Sequence, residues 1–227
     1  MTQAQRTDRA GDASRIPPGR RGFDGAAARE RTTDAVREIE AQTGAEVVVA
    51  VRPSSGHYRH ADYLFGFVVA LGTLTALLFL PVDFPIETFP LDVAVGFVLG
   101  ALLAELVPPL RRLLVAPSLR QANVRRAALA AFVELGVSRT RRRTGVLIYV
   151  SMFERHVEVV ADVGLLPTAV EREWEACAAG LLTAVRPRFD AQRFLDALRA
   201  FGPVLARLAP RGDDDVNELP DDRMSHA

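Results

Sequence analysis

The chain has 227 residues, enough for one sizeable domain or two small ones. Its 28 basic and 28 acidic residues cancel, so the charge balance gives no reason to expect a nucleic-acid partner. Cys177 is the single cysteine, which excludes an intramolecular disulfide framework.

Residues 1–22 are polar, contain a Pro-Pro pair and lack the apolar core of a secretory signal; they are expected to form a disordered leader. Asp24–Gly44 predicts a helix, with Asp24 as N-cap, Ala28, Val36 and Ile39 on one stripe and Gly44 as its stop. Ala45–Val51 is then a continuous apolar strand of the kind buried inside a sheet.

Tyr63–Val82 carries no charge. As a helix it would span roughly 30 Å, the thickness of a hydrocarbon core. Leu91–Leu110 is nearly as apolar, with Asp92 at its start and Glu105 near its end. A pair of buried core helices is the alternative, and the lack of any polar face on the first run argues against it. The link DFPIETFP is acidic and has no arginine. Arg52 and Arg59 precede the pair, and Arg111, Arg112, Arg120, Arg125 and Arg126 follow it. The positive-inside rule therefore places the link outside and both termini in the cytoplasm. Gly96, Gly100 and Ala104 form a small-residue stripe, and Gly72 and Ala76 offer a matching notch. Such a stripe packs a hairpin or joins it to a second copy or another membrane protein. Glu105, close to Pro108 and Arg111, is expected to reach the cytoplasmic interface.

Beyond the hairpin, Ser118–Val137 predicts an amphipathic helix ending near Gly136. Val146–Phe153 is apolar on both faces, Glu154–His156 reads as a tight turn, and Val157, Val159 and Ala161 alternate with polar neighbours in a third strand. Helices at Thr168–Val185 and Ala191–Leu208 precede an acidic tail. With the first two strands parallel, the helix between them is a right-handed crossover. Residues 23–60 and 113–210 then form one split cytoplasmic domain, 61–112 an inserted membrane hairpin, and 211–227 the tail.

The segments EIEAQTGAEVVVAV, AFVELGVSRTRRRTGVLIYVSMFERHVEVVADVGL, the helix around Trp174 and DDDVNELPDD together resemble the TPM domain, in the branch found in bacterial membrane proteins. The resemblance implies an α/β fold: a Rossmann-like α/β/α sandwich with a small mixed sheet, here interrupted by a two-helix transmembrane hairpin. It also implies acid phosphatase activity, divalent-cation binding and roles in the assembly or repair of membrane complexes. A multi-pass protein of the bacterial inner membrane, acting as a tethered scaffold or assembly factor, is the expected function. A cation-dependent phosphatase is the alternative.

Strand direction sorts the polar residues to two edges. The carboxyl edge, where open α/β sheets favour ligands, carries Arg52–His60 and Ser151–His156. Arg52, Arg59 and Arg155 would meet lipid phosphates there, or merely fix topology. The opposite edge collects Thr43, Gly44, Glu46, Arg139–Thr144, Asp162 and Gly164. Glu46 and Asp162 are candidate oxygen ligands for calcium or magnesium. Arg139 and Arg143 are candidates to grip a phosphate, with Thr43 beside them. The competing reading is a structural network in which Asp162 pairs with Arg143 and Thr43 caps a turn. Asp213, Asp215, Asn217 and Glu218 begin like a calcium loop, but lack the glycine its sharp turn needs; a solvated tail docking through Leu219 is the better expectation. His57, His60 and Asp62 have metal spacing without a fourth ligand. Cys177 reads as a core residue. No Ser-His-Asp set, phosphate loop or GxGxxG turn occurs, so no residue is assigned to catalysis.

Overall fold

The computed structural model describes residues 26–82, 84–165 and 170–212. The expected leader, Asp24, Thr168 and the acidic tail from Asp213 onward lie outside them. The chain divides into two compact units. One holds the chain up to Arg52 together with that from Ala128 onward; the other is Pro53–Ala127.

In the first unit, α1 (Ala26–Glu40) is built from good helix formers and buries Ala35, Val36 and Ile39. It stops four residues before the expected Gly44. Arg211 donates from Nη1 to the carbonyls of Glu40 (3.2 Å) and Ala41 (2.9 Å), satisfying C-terminal acceptors that the helix leaves open. Gly44 belongs instead to a crossing with the end of the chain, where its N–H donates to the Ala209 carbonyl at 2.9 Å.

Strand β1 (Glu46–Arg52) pairs in parallel with β2 (Gly145–Ser151), from Glu46 opposite Gly145 to Arg52 opposite Ser151. Strand β3 (His156–Ala161) pairs antiparallel with β2, giving a mixed sheet in the order β1-β2-β3. The central strand is buried at every position, which accounts for its apolar sequence on both faces. It ends at Ser151, earlier than Phe153: Met152 N–H makes the last rung of the parallel ladder, to the Arg52 carbonyl (2.9 Å), and the Ser151 hydroxyl bonds the Glu154 carboxylate across the turn that follows. Arg155 closes the turn in the left-handed region at φ 49°.

Helices α6 (Glu171–Val185), α7 (Ala191–Arg199) and α8 (Phe201–Leu208) supply most of the remaining core. Phe194, Leu198, Phe201 and Leu205 pack with Val47, Val49, Ile148 and Val150 on one sheet face. The expected single helix over Ala191–Leu208 is two, broken at Ala200. A proline inside a continuous helix would clash with the carbonyl four residues back, and Pro203 instead sits in the first turn of α8. Val48, Ala50, Leu147 and Tyr149, on the other face, are equally buried.

The second unit contains α2 (Arg59–Phe79), α3 (Phe89–Leu106), the short α4 (Pro108–Leu114) and the start of α5 (Pro117–Glu134). Helix α5 ends where expected, with Gly136 left-handed at φ 68°. Helices α2 and α3 form an antiparallel hairpin. A Cβ on Gly100 would lie 2.8 Å from the Val69 side chain and 3.0 Å from the Gly66 Cα, and one on Gly96 would lie 2.5 Å from Thr73 Oγ1. Gly96, Gly100 and Ala104 are thus buried against α2 within one chain. The facing residues are Gly66, Val69, Ala70 and Thr73, not the expected Gly72 and Ala76, which are exposed.

Two helical stretches, Arg59–Phe79 and Ile86–Leu106, are long and apolar enough to cross a membrane. Leu64, Phe67, Val68, Leu71, Leu99, Leu102 and Leu103 are exposed on them. A contiguous apolar surface of this size marks a contact with lipid or protein rather than water.

Candidate functional site

The polar residues at the amino ends of β1 and β2 are tied together mainly by backbone. Thr43 is 1% exposed, and its hydroxyl donates to the Ala209 carbonyl (2.8 Å) while accepting from Ala45 N–H (3.2 Å). Thr144 does the same for the neighbouring strand, donating to the Gly44 carbonyl at 2.9 Å. These two hydroxyls hold the strand entries and the chain's return past Pro210 in one register.

Asp162 follows β3 and is buried. Its Oδ1 accepts from Val163 N–H (2.7 Å) and meets Arg143 Nη2 at 3.1 Å. Arg143 also donates from Nη1 to the Ser138 carbonyl at 2.7 Å, and its backbone is left-handed at φ 58°. Gly164 seals the turn by donating to the Arg143 carbonyl at 2.9 Å, and a side chain there would collide with the Arg142 and Arg143 carbonyls. The pairing of Asp162 with Arg143 and the turn made by Thr43 match the structural network that competed with a ligand site. Asp162 Oδ2 is nevertheless buried with no hydrogen-bond partner among the described residues.

Glu46 lines a different space, a cleft of about 230 Å³ bordered by Arg37, Glu40, Thr43, Ala45 and Arg211. Glu40 Oε1 accepts from Val47 N–H at 3.0 Å, fixing the end of α1 to β1. Asp162 does not border this cleft. Arg139 is exposed at the end of a 3-10 turn over Val137–Arg139. Among the described residues no group of three or more His, Cys, Asp or Glu is placed to hold a metal.

At the carboxyl edge, Ser151 and Glu154 are both buried and hydrogen-bonded to each other. Arg186 donates to the Arg155 carbonyl (2.8 Å) and lies 3.0 Å from His156 Nδ1, which pins the β2–β3 turn to the end of α6.

The mixed α/β architecture is similar to that in the NMR structure of BA42 protein from the psychrophilic bacterium Bizionia argentinensis sp. nov.. That likeness covers 88% of this chain and 94% of the other, at 18% identity and a TM-score of 0.53. At this identity the likeness concerns fold. No family model and no curated protein matches the chain.

Sequence reasoning missed a doubly hydrogen-bonded ion pair. Asp62, grouped above with His57 and His60 as metal-spaced, has both carboxylate oxygens engaged by Arg111, at 2.6 Å from Nε and 2.5 Å from Nη2. The only signal in the sequence was an acid in the first turn of one apolar run and an arginine just beyond the other. The Ser151–Glu154 pair carried its signal in the three-residue spacing of a polar pair around a tight turn.

Proposed function

We infer that the chain is a bacterial inner-membrane protein whose hairpin tethers a Rossmann-like, TPM-like α/β domain at the cytoplasmic face, where it acts as a scaffold or assembly factor for membrane complexes. One observation carries the topology. Strands β1 and β2 are hydrogen-bonded neighbours, so Arg52 and Gly145 lie on the same side of any bilayer the chain crosses. The segment between them then crosses an even number of times, which suits its two apolar helices. Arginines on both outer flanks and none in the link support a cytoplasmic domain.

The scaffold role is favoured over a hydrolase by the use to which the edge residues are put. Thr43, Arg143 and one oxygen of Asp162 serve the backbone or one another. The hydroxyl of Ser151 does stand beside the Glu154 carboxylate, but both are buried at the other edge, which closes that pair to the substrate a hydrolase would need to reach. Crosslinking the full-length protein in native membranes tests this reading: recovery of a discrete membrane-protein partner is expected, and recovery of none overturns it.

The buried, unpartnered Oδ2 of Asp162 favours a second reading, a divalent-cation-dependent phosphatase. A hard cation takes oxygen ligands and would satisfy that atom, polarising a phosphate held by Arg139 or Arg143. The fit is limited to this one oxygen, because Glu46 borders a separate cleft. Phosphate-ester hydrolysis by the full chain, with and without calcium or magnesium, separates the two. Cation-dependent activity abolished in a folded Asp162→Ala variant would establish the enzyme.

A further inference from the structure

The loop Ser138–Thr144 carries four arginines within five positions, Arg139 and Arg141–Arg143. Its backbone is closed on itself: Arg143 N–H donates to the Thr140 carbonyl at 3.1 Å, and Thr144 N–H to Thr140 Oγ1 at 3.0 Å. Thr140 and Thr144 are buried, and the arginines are left on the outside. Arg143 is engaged by Asp162 and the Ser138 carbonyl, and Arg141 has an interaction of its own, so neither is counted further. Arg139 and Arg142 are exposed, and among the described residues no carboxylate pairs with either.

The described chain ends beside this loop. Gly44 N–H donates to the Ala209 carbonyl, Pro210 bridges to Thr43, and Arg211 donates to the carbonyls of Glu40 and Ala41. These contacts fix the position of Gly212, where a Cβ would lie 3.9 Å from Nη1 of Arg142. The sequence continues directly with Asp213, Asp214 and Asp215, and Asp213–Asp222 holds six acids and no base. With about 3.8 Å between successive Cα atoms, those first three aspartates lie within about 11 Å of Gly212.

We propose that Arg139 and Arg142 are the seat of the chain's own acidic tail, with the carboxylates of Asp213–Asp215 on the two guanidiniums. The planar fork of each arginine suits a carboxylate. Exposed ion pairs are individually weak, and a free acidic peptide would gain little from them. A tether of one to three residues changes that, because it presents the carboxylates at an effective concentration of about millimolar or above. The self-closed loop also has little order left to lose on binding. Any other anion, such as an acidic segment of a partner protein, then reaches Arg139 and Arg142 only by displacing the tail. The inference uses neither the membrane reading nor the hydrolytic one.

The test treats the full-length, detergent-solubilised protein with phenylglyoxal, which attacks accessible guanidines, and reads each arginine by mass spectrometry. Exposed Arg188 serves as the internal reference. The comparison is with a full-length variant carrying Asp213→Asn, Asp214→Asn and Asp215→Asn. Arg139 and Arg142 should react roughly tenfold more slowly in the native chain than in the variant, the combined effect of two or three exposed ion pairs. Arg188 should react equally in both. Raising the salt should bring the native chain to the rates of the variant, since exposed pairs are screened. Equal rates at Arg139 and Arg142 in the two chains overturn the seat, whether both react fast or another group protects both. Slowing at Arg142 without Arg139 is no more than the adjacency that Gly212 imposes, and it also overturns the seat. Protection that fades on dilution at fixed detergent assigns the tail to a second copy and likewise overturns it. The salt arm needs no variant and decides the matter if the substitutions disturb folding.

Discussion

Arg111 grips both carboxylate oxygens of Asp62, forty-nine residues earlier in the chain, and so closes the end of the hairpin where its first helix begins. The Asp62 side chain is 8% exposed and that of Arg111 is 22% exposed. Removing one partner strands the other in a poorly solvated place. Asp62→Leu alone is therefore expected to cost about 3 kcal/mol, whereas Asp62→Leu combined with Arg111→Met should recover most of that loss. Thermal unfolding of the detergent-solubilised full chain measures both. The hydrogen bond to Asp62 holds the Arg111 guanidinium above its usual pKa. A raised folded value means that the pair's contribution is complete below the ordinary arginine range and is lost only as pH rises past it. No weakening from Arg111 is expected on the alkaline side of neutrality.

The glycines of α3 make a prediction about phase. Gly100→Leu should force the helices apart and cost about 1–3 kcal/mol, because the nearest atoms are the Val69 side chain and the Gly66 backbone. Gly72→Ala has nothing within 4 Å to strike and should be neutral or slightly stabilising. Equal effects from the two would refute the assigned helix faces.

Ser151 and Glu154 test the β2–β3 turn. Ser151→Ala removes a donor from a buried carboxylate and should lower stability by about 2 kcal/mol. A loss below about 0.5 kcal/mol in chemical denaturation would mean that the pair contributes nothing net.

Cys177, near the break between α7 and α8, donates its thiol to the Ala200 carbonyl at 3.4 Å. Burial, with help from Glu173, raises its pKa above the usual 9.0. The thiolate is the reactive form, so alkylation at mildly alkaline pH should run much slower in the folded chain than after denaturation. The sign for stability follows: this contribution is present below the ordinary thiol pKa and fades as pH climbs through the raised one. Equal alkylation rates in the two states would contradict it.

Much of this architecture was legible because short-range physics fixes it. The unbroken apolar run at Val47–Val51 could only be an interior strand, and Gly136 after a helical stripe could only be its stop. Pro203 held enough information to split the last helix, since its ring is incompatible with a helix interior. The hairpin was legible as two apolar runs, but its phase was not. Which stripe of α2 meets Gly96 and Gly100 depends on side-chain fit between the helices, and Gly66 and Gly72 look alike in sequence. The edge residues were located at the right ends of the strands. Whether Asp162 would face Arg143, and Glu46 a cleft under α1, was set by the left-handed turn at Arg143 and by Arg211 arriving from the far end of the chain. Neither leaves a local trace.

The pairing of Glu46 with Gly145 also constrains the order of events during synthesis. When β1 leaves the ribosome its partner does not yet exist, and both apolar helices emerge before that partner does. The sheet can therefore be completed only after both helices have emerged and, on the proposed membrane reading, only after they have been handed to the insertion machinery. An error in that handover would leave a single orphaned strand exposed in the cell, a clear mark for proteolytic removal.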